Sequence, residues 1–138
     1  MNKACLVVLR RISGELQILT FRHPIAGKQL VKGTMEQGET PEAASVRELW
    51  EEAGINLQCE KFLQLWQWTP EATPTWAFCL MENGDQLPDR WRHFCSDDGG
   101  HYFEFFWQPL AESPQPSEWH PLFIAALAAI RGILNHSK

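Results

Sequence analysis

The sequence predicts an α+β fold built as one domain over residues 1–138. Short runs of strand-forming residues recur along the chain, and an amphipathic helix is predicted between Thr40 and Gly54. Residues 118–130 are rich in Ala and Leu at helical spacing, which predicts a closing helix packed on the sheet. A chain of 138 residues is long enough to bury one sizeable core but not two.

The predicted strands are short runs bounded by clusters of turn-forming residues. They cover residues 3–9, 16–22, 29–33, 61–68, 75–81 and 101–107. Ser13 and Gly14, between the first two runs, predict a hairpin turn. Because three of the runs follow the predicted helix, most of the sheet is expected to be assembled after it.

The helix has clear start and stop signals. Thr40 is a hydroxyl N-cap, Pro41 suits the first helical position, and Gly54 ends the helix. At about 100° per residue, one side is predicted to carry the apolar contacts of Ala43, Val46, Trp50 and Ala53. Three glutamates, Glu48, Glu51 and Glu52, fall on nearly the opposite side.

Composition and charge narrow the class of protein. No segment approaches the roughly 20 apolar residues that span a bilayer, and the N-terminal apolar run is too short for a signal peptide. A cytoplasmic protein without membrane contact is therefore expected. The net charge of −5 argues against an extended nucleic-acid surface, which needs basic residues to neutralise phosphates.

The cysteines are predicted to be buried free thiols. Cys5, Cys59, Cys79 and Cys95 lie far apart, without C-x-x-C spacing or a histidine at zinc-finger distance. The sequence therefore offers no pattern for a disulfide or zinc site.

Three glutamates on one helical face repel one another by a few tenths of a kcal/mol per neighbouring pair. A bound cation would reverse the sign of that interaction. Hard divalent ions take carboxylate ligands together with substrate phosphate, which favours a metal site for phosphate-ester chemistry. A solvated acidic face is the alternative interpretation from charge alone.

Residues 33–55 decide between these interpretations. They run GTMEQGETPEAASVRELWEEAGI, which resembles the Nudix box G-x₅-E-x₇-R-E-U-x-E-E-x-G-U at every fixed position, U being a bulky aliphatic residue. The resemblance implies an α/β/α sandwich with a mixed central β-sheet. It also implies a hydrolase that cleaves a diphosphate bond in a nucleoside-diphosphate-linked molecule, with Mg²⁺ as cofactor and Mn²⁺ as the alternative.

The same resemblance implies roles for individual residues. Glu48, Glu51 and Glu52 are expected to hold metal, together with the carbonyl of Gly33. Glu39 and Arg47 are expected to pair and so orient the ligating carboxylates. The carboxylate that removes a proton from the attacking water is left open among Glu48, Glu51 and Glu104. Glu104 is a lone charge within an aromatic run and could instead be an extra metal ligand, with a charge that protects a sheet edge as the alternative.

Residues that recognise substrate are harder to assign. Arg22 and Lys32 precede or enter the box and are candidates for phosphate contacts, with solvated surface charge as the alternative. Trp66 and Trp76 are candidates for stacking on a nucleobase, with core packing as the alternative. A nucleoside triphosphate, dinucleoside polyphosphate, ADP-ribose, sugar nucleotide or RNA cap all remain open.

Two other functions compete with hydrolysis. One is a catalytically silent Nudix-like module that senses a nucleotide, although such modules often lose box glutamates that are all present here. The other is an interaction protein that uses a tryptophan-rich surface. A small-molecule nucleotide is the expected partner, and the chain is expected to act as a monomer or a homodimer.

Overall fold

A computed structural model of the protein describes residues 2–71, 74–96 and 99–136. These residues form nine strands and two helices. The elements are β1 Lys3–Val7, β2 Leu9–Ile12, β3 Glu15–His23, β4 Gly27–Leu30, β5 Lys32–Thr34, α1 Pro41–Ala53, β6 Cys59–Trp66, β7 Trp76–Met81, β8 Trp91–Cys95, β9 His101–Pro109 and α2 Pro121–His136.

The strands form two sheets. A four-stranded sheet has the order β5-β1-β7-β6, in which β1 and β7 are parallel and the other pairs are antiparallel. The second sheet is antiparallel, with the order β2-β3-β9-β8 and β4 also paired to β3. The first sheet is therefore the predicted mixed sheet.

The two helices pack on opposite faces of the mixed sheet. On β1, Ala4 and Leu6 belong to the core that contains α1 and the inner face of the second sheet. Cys5 and Val7 point the other way and pack in the core that contains α2. This alternation is the ordinary geometry of a strand buried on both faces, and it confirms the α/β/α arrangement.

Two predicted strands each divide between the two sheets. The run 3–9 becomes β1 in the mixed sheet, and the chain crosses at Val8 into β2. The predicted turn is confirmed, because Ser13 and Gly14 both have positive φ, at 49° and 82°, and join β2 to β3. The run 29–33 likewise divides at Val31 into β4 and β5.

The prediction that most of the sheet follows the helix is wrong. Five of the nine strands precede α1, because the early runs divide and β4 begins before its predicted start. Strand β8, over residues 91–95, was not predicted at all. The strand alternates inward Trp91, His93 and Cys95 with outward Arg92 and Phe94. This is the period of a strand, but the charged residues among them obscure the hydrophobic pattern.

The bounds of α1 are confirmed by its caps. Thr40 Oγ1 accepts a hydrogen bond from the Ala43 backbone N–H at 3.1 Å. Gly54 has a left-handed φ of 71°, and its N–H donates to the Trp50 carbonyl at 3.0 Å. Such a glycine ends a helix at little steric cost.

The predicted apolar face of α1 is only partly buried: Ala53 lies in the core and Val46 packs against it, but the other two residues do not. Trp50 is 60% exposed and Ala43 is exposed, whereas the helix buries Ala44, Ser45, Glu48, Leu49, Glu52 and Ala53. Two glutamates of the helix point inward. A helical-wheel prediction that places every charged residue in solvent therefore assigns the wrong side as buried. The solvated-face alternative therefore fails for Glu48 and Glu52.

All four cysteines are free. Cys5, Cys79 and Cys95 are buried as predicted, and Cys59 is half-buried. Burial raises the pKa of Cys79 to about 12 and that of Cys5 further still, so these thiols stay protonated. Neither described helix is long and apolar enough to cross a membrane.

The corrected helix face can be tested by truncating neighbouring residues. Leu49→Ala should lower the free energy of unfolding by about 2–5 kcal/mol, because it opens a cavity in the core. Trp50→Ala should change it by no more than about 0.5 kcal/mol, as expected for an exposed position. Urea denaturation measures both values, and the reverse order would restore the face predicted from the sequence.

Candidate active site

A cleft of about 900 Å³ opens between α1 and the inner face of the second sheet. Its walls come from β1, β3, β5, α1 and β9 and from the segments next to them. Among the lining residues are the predicted site residues Lys32, Gly33, Arg47, Glu48, Glu51 and Glu52. The structure thus brings most of the Nudix box to one surface.

Glu48 and Glu52 are the buried acids of this cleft. They lie four residues apart on α1 and are only 5% and 7% exposed. The Glu51 side chain, by contrast, is 48% exposed at the cleft. Burying a carboxylate is costly unless a cation or hydrogen-bond donors compensate it, so two such groups require positive charge nearby.

Gly33 is required by the position of Glu48. A Cβ on this residue would overlap the Glu48 carboxyl group. Strand β5 therefore packs closely against a carboxylate at this glycine. Gly38, with a φ of 78°, does adopt the left-handed geometry of a turn.

Arg47 supplies positive charge to this region. Its guanidinium donates to both carboxylate oxygens of Glu39 at 2.8 Å, from Nε and Nη2. Nη1 donates to Glu48 at 2.8 Å and to Glu51 at 3.2 Å. Nη2 also donates to the Thr34 carbonyl at 3.0 Å. One side chain thus joins the end of β5, the following loop and the acidic helix.

The bidentate pair has a clear electrostatic effect. Its hydrogen bonds lower the pKa of Glu39 to about 2, although partial burial opposes the shift. The same hydrogen bonds raise the pKa of Arg47 above its ordinary value. Both groups therefore stay charged at neutral pH, as charge-assisted bidentate pairs do.

The donor set suits a hard divalent cation. Among the residues that the structure describes, no cluster of three His, Cys, Asp or Glu side chains forms a ready metal site. Glu48 and Glu52 nevertheless supply buried carboxylate oxygens, and Glu51 supplies a third at the cleft surface. Oxygen ligands of this kind bind Mg²⁺, and the space over Gly33 accommodates the Glu48 carboxylate.

Strand β8 supports the C-terminal turn of this helix. The Trp91 indole N–H donates to the Ala53 carbonyl at 2.9 Å. The His93 ring lies 3.2 Å from the Glu51 carbonyl. These contacts satisfy backbone oxygens that a helix end leaves without internal partners, and so fix the turn that carries Glu51 and Glu52.

Two predicted site residues lie elsewhere. Arg22 and Glu104 line a separate pocket on the outer face of the second sheet. On β9, Phe103 and Phe105 pack in the core toward α1, so Glu104 between them points to the opposite face. The register of β9 therefore removes Glu104 from the carboxylates that could act in the cleft.

The predicted stacking tryptophans also lie outside the cleft. Trp76 is 4% exposed and packs against Phe123 of α2 with ring centroids 5.7 Å apart. Trp66 stacks on Phe78 at 5.5 Å in the same core. Both tryptophans therefore pack in or against the core, which was the alternative to stacking on a nucleobase.

The cleft contains other polar and basic residues that sequence reasoning did not assign. Lys3 donates through Nζ to the Thr34 hydroxyl at 2.5 Å, beside the box. His23 and His101 line the cleft with ring centroids 4.9 Å apart. Strand alternation places His23 on the same face as Phe21. That alternation is the feature of the sequence that could have assigned His23 to the cleft.

Comparison with known proteins agrees with this geometry. The NUDIX domain family model matches residues 2–127. The chain belongs to the Nudix family. Over 80 residues it is 37% identical to the phosphatase NudJ of Escherichia coli K12, and equally to that of Shigella flexneri. That match covers 55% of this chain, which spans only 52% of the length of these curated relatives.

Solved Nudix structures share the fold at low identity. A Nudix hydrolase from M. smegmatis, RenU, superposes with a TM-score of 0.65 at 19% identity, over 98% of this chain and 86% of that one. A C. elegans Ap4A hydrolase in a binary complex also gives 0.65 at 19% identity, over 99% of both chains. At this identity the likeness concerns the fold.

The pKa of Glu39 yields a pH-dependent prediction. Glu39→Gln should reduce the free energy of unfolding by about 1–3 kcal/mol above pH 4.5, because it removes a charged bidentate partner. The depressed pKa means that this stabilisation is present above the ordinary value of 4.5 and is lost as pH falls toward about 2. Urea denaturation at several pH values measures the difference, and a gap that stayed constant from pH 7 to pH 2 would contradict the pairing.

Proposed function

We propose that this protein is a metal-dependent hydrolase that cleaves the diphosphate bond of a nucleoside-diphosphate-linked small molecule. The observation that supports this most strongly is the pair of buried carboxylates, Glu48 and Glu52, in an open cleft. A fold under selection for stability alone gains little from burying two like charges. A site for a divalent cation and a phosphate substrate explains them.

Glu48, Glu51, Glu52 and the carbonyl of Gly33 would hold Mg²⁺, or Mn²⁺, which accepts the same oxygen ligands. The bound cation would neutralise diphosphate charge and make water a stronger nucleophile. Arg47 and Glu39 position these carboxylates from behind, as supporting partners of metal ligands do.

The chain's own residues would bind and orient the substrate. Lys3 and Lys32 line the cleft beside the box and would attract its phosphates. The carboxylate that takes the water proton would be Glu48 or Glu51, because both line the cleft and Glu104 does not. Glu51 is the more exposed of the two, and Glu48 is the more closely held by Arg47.

The nucleotide part of the proposal has separate support. The cleft volume of about 900 Å³ lies within the range of ordinary ligand sites, roughly 300–1,000 Å³. His23 and His101 would contact the base in place of the partly buried Trp66 and the buried Trp76. Similar proteins include a phosphatase and, at 19% identity, an Ap4A hydrolase, which supports including dinucleoside polyphosphates in a substrate panel.

The direct test is turnover of a substrate panel in Mg²⁺. Nucleoside triphosphates, dinucleoside polyphosphates, sugar nucleotides, ADP-ribose and capped RNA are incubated with the protein, and product release is followed by chromatography. At least one member should be cleaved at a diphosphate bond. Glu52→Gln should lower kcat/KM at least about 100-fold, since losing a residue that merely supports a ligand already costs about 10–100-fold.

A matched variant controls for charge removal. Glu42→Gln alters an exposed glutamate in the first turn of the same helix and should leave turnover unchanged. Absence of turnover for every panel member, with the protein folded, would instead favour the silent sensing module. Turnover that survives in Glu52→Gln would remove the proposed metal site.

A further inference from the structure

A second pocket of about 360 Å³ lies on the outer face of the antiparallel sheet. We call it the outer pocket. Its charged lining comprises Arg22, Lys28, Arg90, Arg92 and Glu104, with aromatic residues of β8 and β9 beside them. None of these residues lines the cleft that holds the Nudix box. The proposed hydrolase function leaves this pocket unexplained.

Strand alternation separates the two sites. On β3, Phe21 and His23 line the cleft, whereas Arg22 between them lines the outer pocket. On β9, Phe103 lines the cleft and Glu104 the outer pocket. Because successive side chains of a strand point to opposite faces, the Arg22 and Glu104 side chains point away from the cleft. The inward-facing Phe105 also borders the outer pocket.

The outer pocket concentrates positive charge in a chain whose net charge is −5. Four of the 12 lysines and arginines line it, against Glu104 as the one acid of the lining. The strand register places Lys28 opposite Arg22, Arg22 opposite Glu104, and Glu104 opposite Arg92, in one row across four strands. Lys28 and Arg22 are like charges directly opposite each other, which destabilises a sheet, whereas Glu104 is opposite in charge to both of its neighbours.

Besides Glu104 within the row, a further acid pairs with only one end of it. Glu118 lies 3.1 Å from Lys28 Nζ and 3.8 Å from an Arg22 nitrogen. At the other end, the Arg92 guanidinium lies 4.5 Å from the centre of the Tyr102 ring. Within residues 2–71, 74–96 and 99–136, neither Arg90 nor Arg92 has a carboxylate within 4.0 Å.

We propose that the outer pocket binds a small phosphorylated molecule at a site distinct from the cleft. Guanidinium groups recognise phosphate through paired N–H donors, and Arg90 and Arg92 present two such groups beside Arg22. The volume lies at the lower end of ordinary ligand pockets, roughly 300–1,000 Å³, so it suits inorganic phosphate or a mononucleotide.

The test is a chemical-shift titration of the ¹⁵N-labelled full chain with inorganic phosphate and, separately, with AMP. Both are run at low salt with EDTA, so that metal-dependent binding in the cleft does not contribute. Phosphate or AMP should shift the amides of Arg22, Arg92 and Phe106. The double variant Arg90→Gln/Arg92→Gln should raise the Kd at least about tenfold, since two charge-assisted contacts are lost.

Arg11→Gln serves as the matched control, because Arg11 is an exposed arginine on β2 outside both sites. It should leave the Kd unchanged. If the double variant does not fold, Arg90→Gln alone gives the same comparison, since Arg90 is exposed and precedes β8. Tighter binding of AMP identifies a nucleotide ligand and equal binding identifies a phosphate site, and either supports the proposal.

Three results would overturn it. They are the absence of shifts with either probe at millimolar concentration, shifts confined to amides of the cleft, and an equal Kd for the double variant and the unaltered chain. None of these results depends on turnover. Failure of the outer-pocket proposal would therefore not contradict the proposed hydrolase function, which the substrate panel tests separately.

Discussion

The hydrogen bonds of the Arg47 guanidinium are the interaction on which the rest of the site depends. Two carboxylates of α1 are buried, and a buried charge without compensation costs several kcal/mol. Arg47 contacts one of them directly and is itself fixed by a bidentate pair with Glu39. Because it also reaches the Thr34 carbonyl, it holds the helix against β5. Gly33 completes this arrangement by leaving room for the Glu48 carboxylate.

The parts of the structure that were predictable are encoded locally. Thr40 and Gly54 cap α1 through contacts within a few residues, so its bounds follow from the sequence alone. The Ser13-Gly14 turn is equally local, since positive φ at both residues suits a tight hairpin. Glu48, Glu51 and Glu52 lie within one helix, and their convergence needs only helical geometry and the resemblance to a known motif.

The parts that were not predictable depend on distant contacts. Whether Glu104 faces the cleft or the outer pocket depends on the register of β9 against β3, which no short segment specifies. The buried face of α1 was misassigned because Glu48 and Glu52 violate the rule that charge faces solvent. Such violations are expected at functional sites. Trp76 is a core residue because Phe123 of α2, far along the chain, packs on it, and Trp66 packs beside it.

The central claim is that the buried carboxylate of Glu48 forms part of a divalent-cation site. Mn²⁺ binding, followed by the loss of the free-ion electron paramagnetic resonance signal, tests it without any substrate. The unaltered chain and Glu42→Gln should bind Mn²⁺ with the same affinity, and Glu48→Gln should bind at least about tenfold more weakly. Equal affinity in Glu48→Gln, or no Mn²⁺ binding by the unaltered chain, would contradict the account.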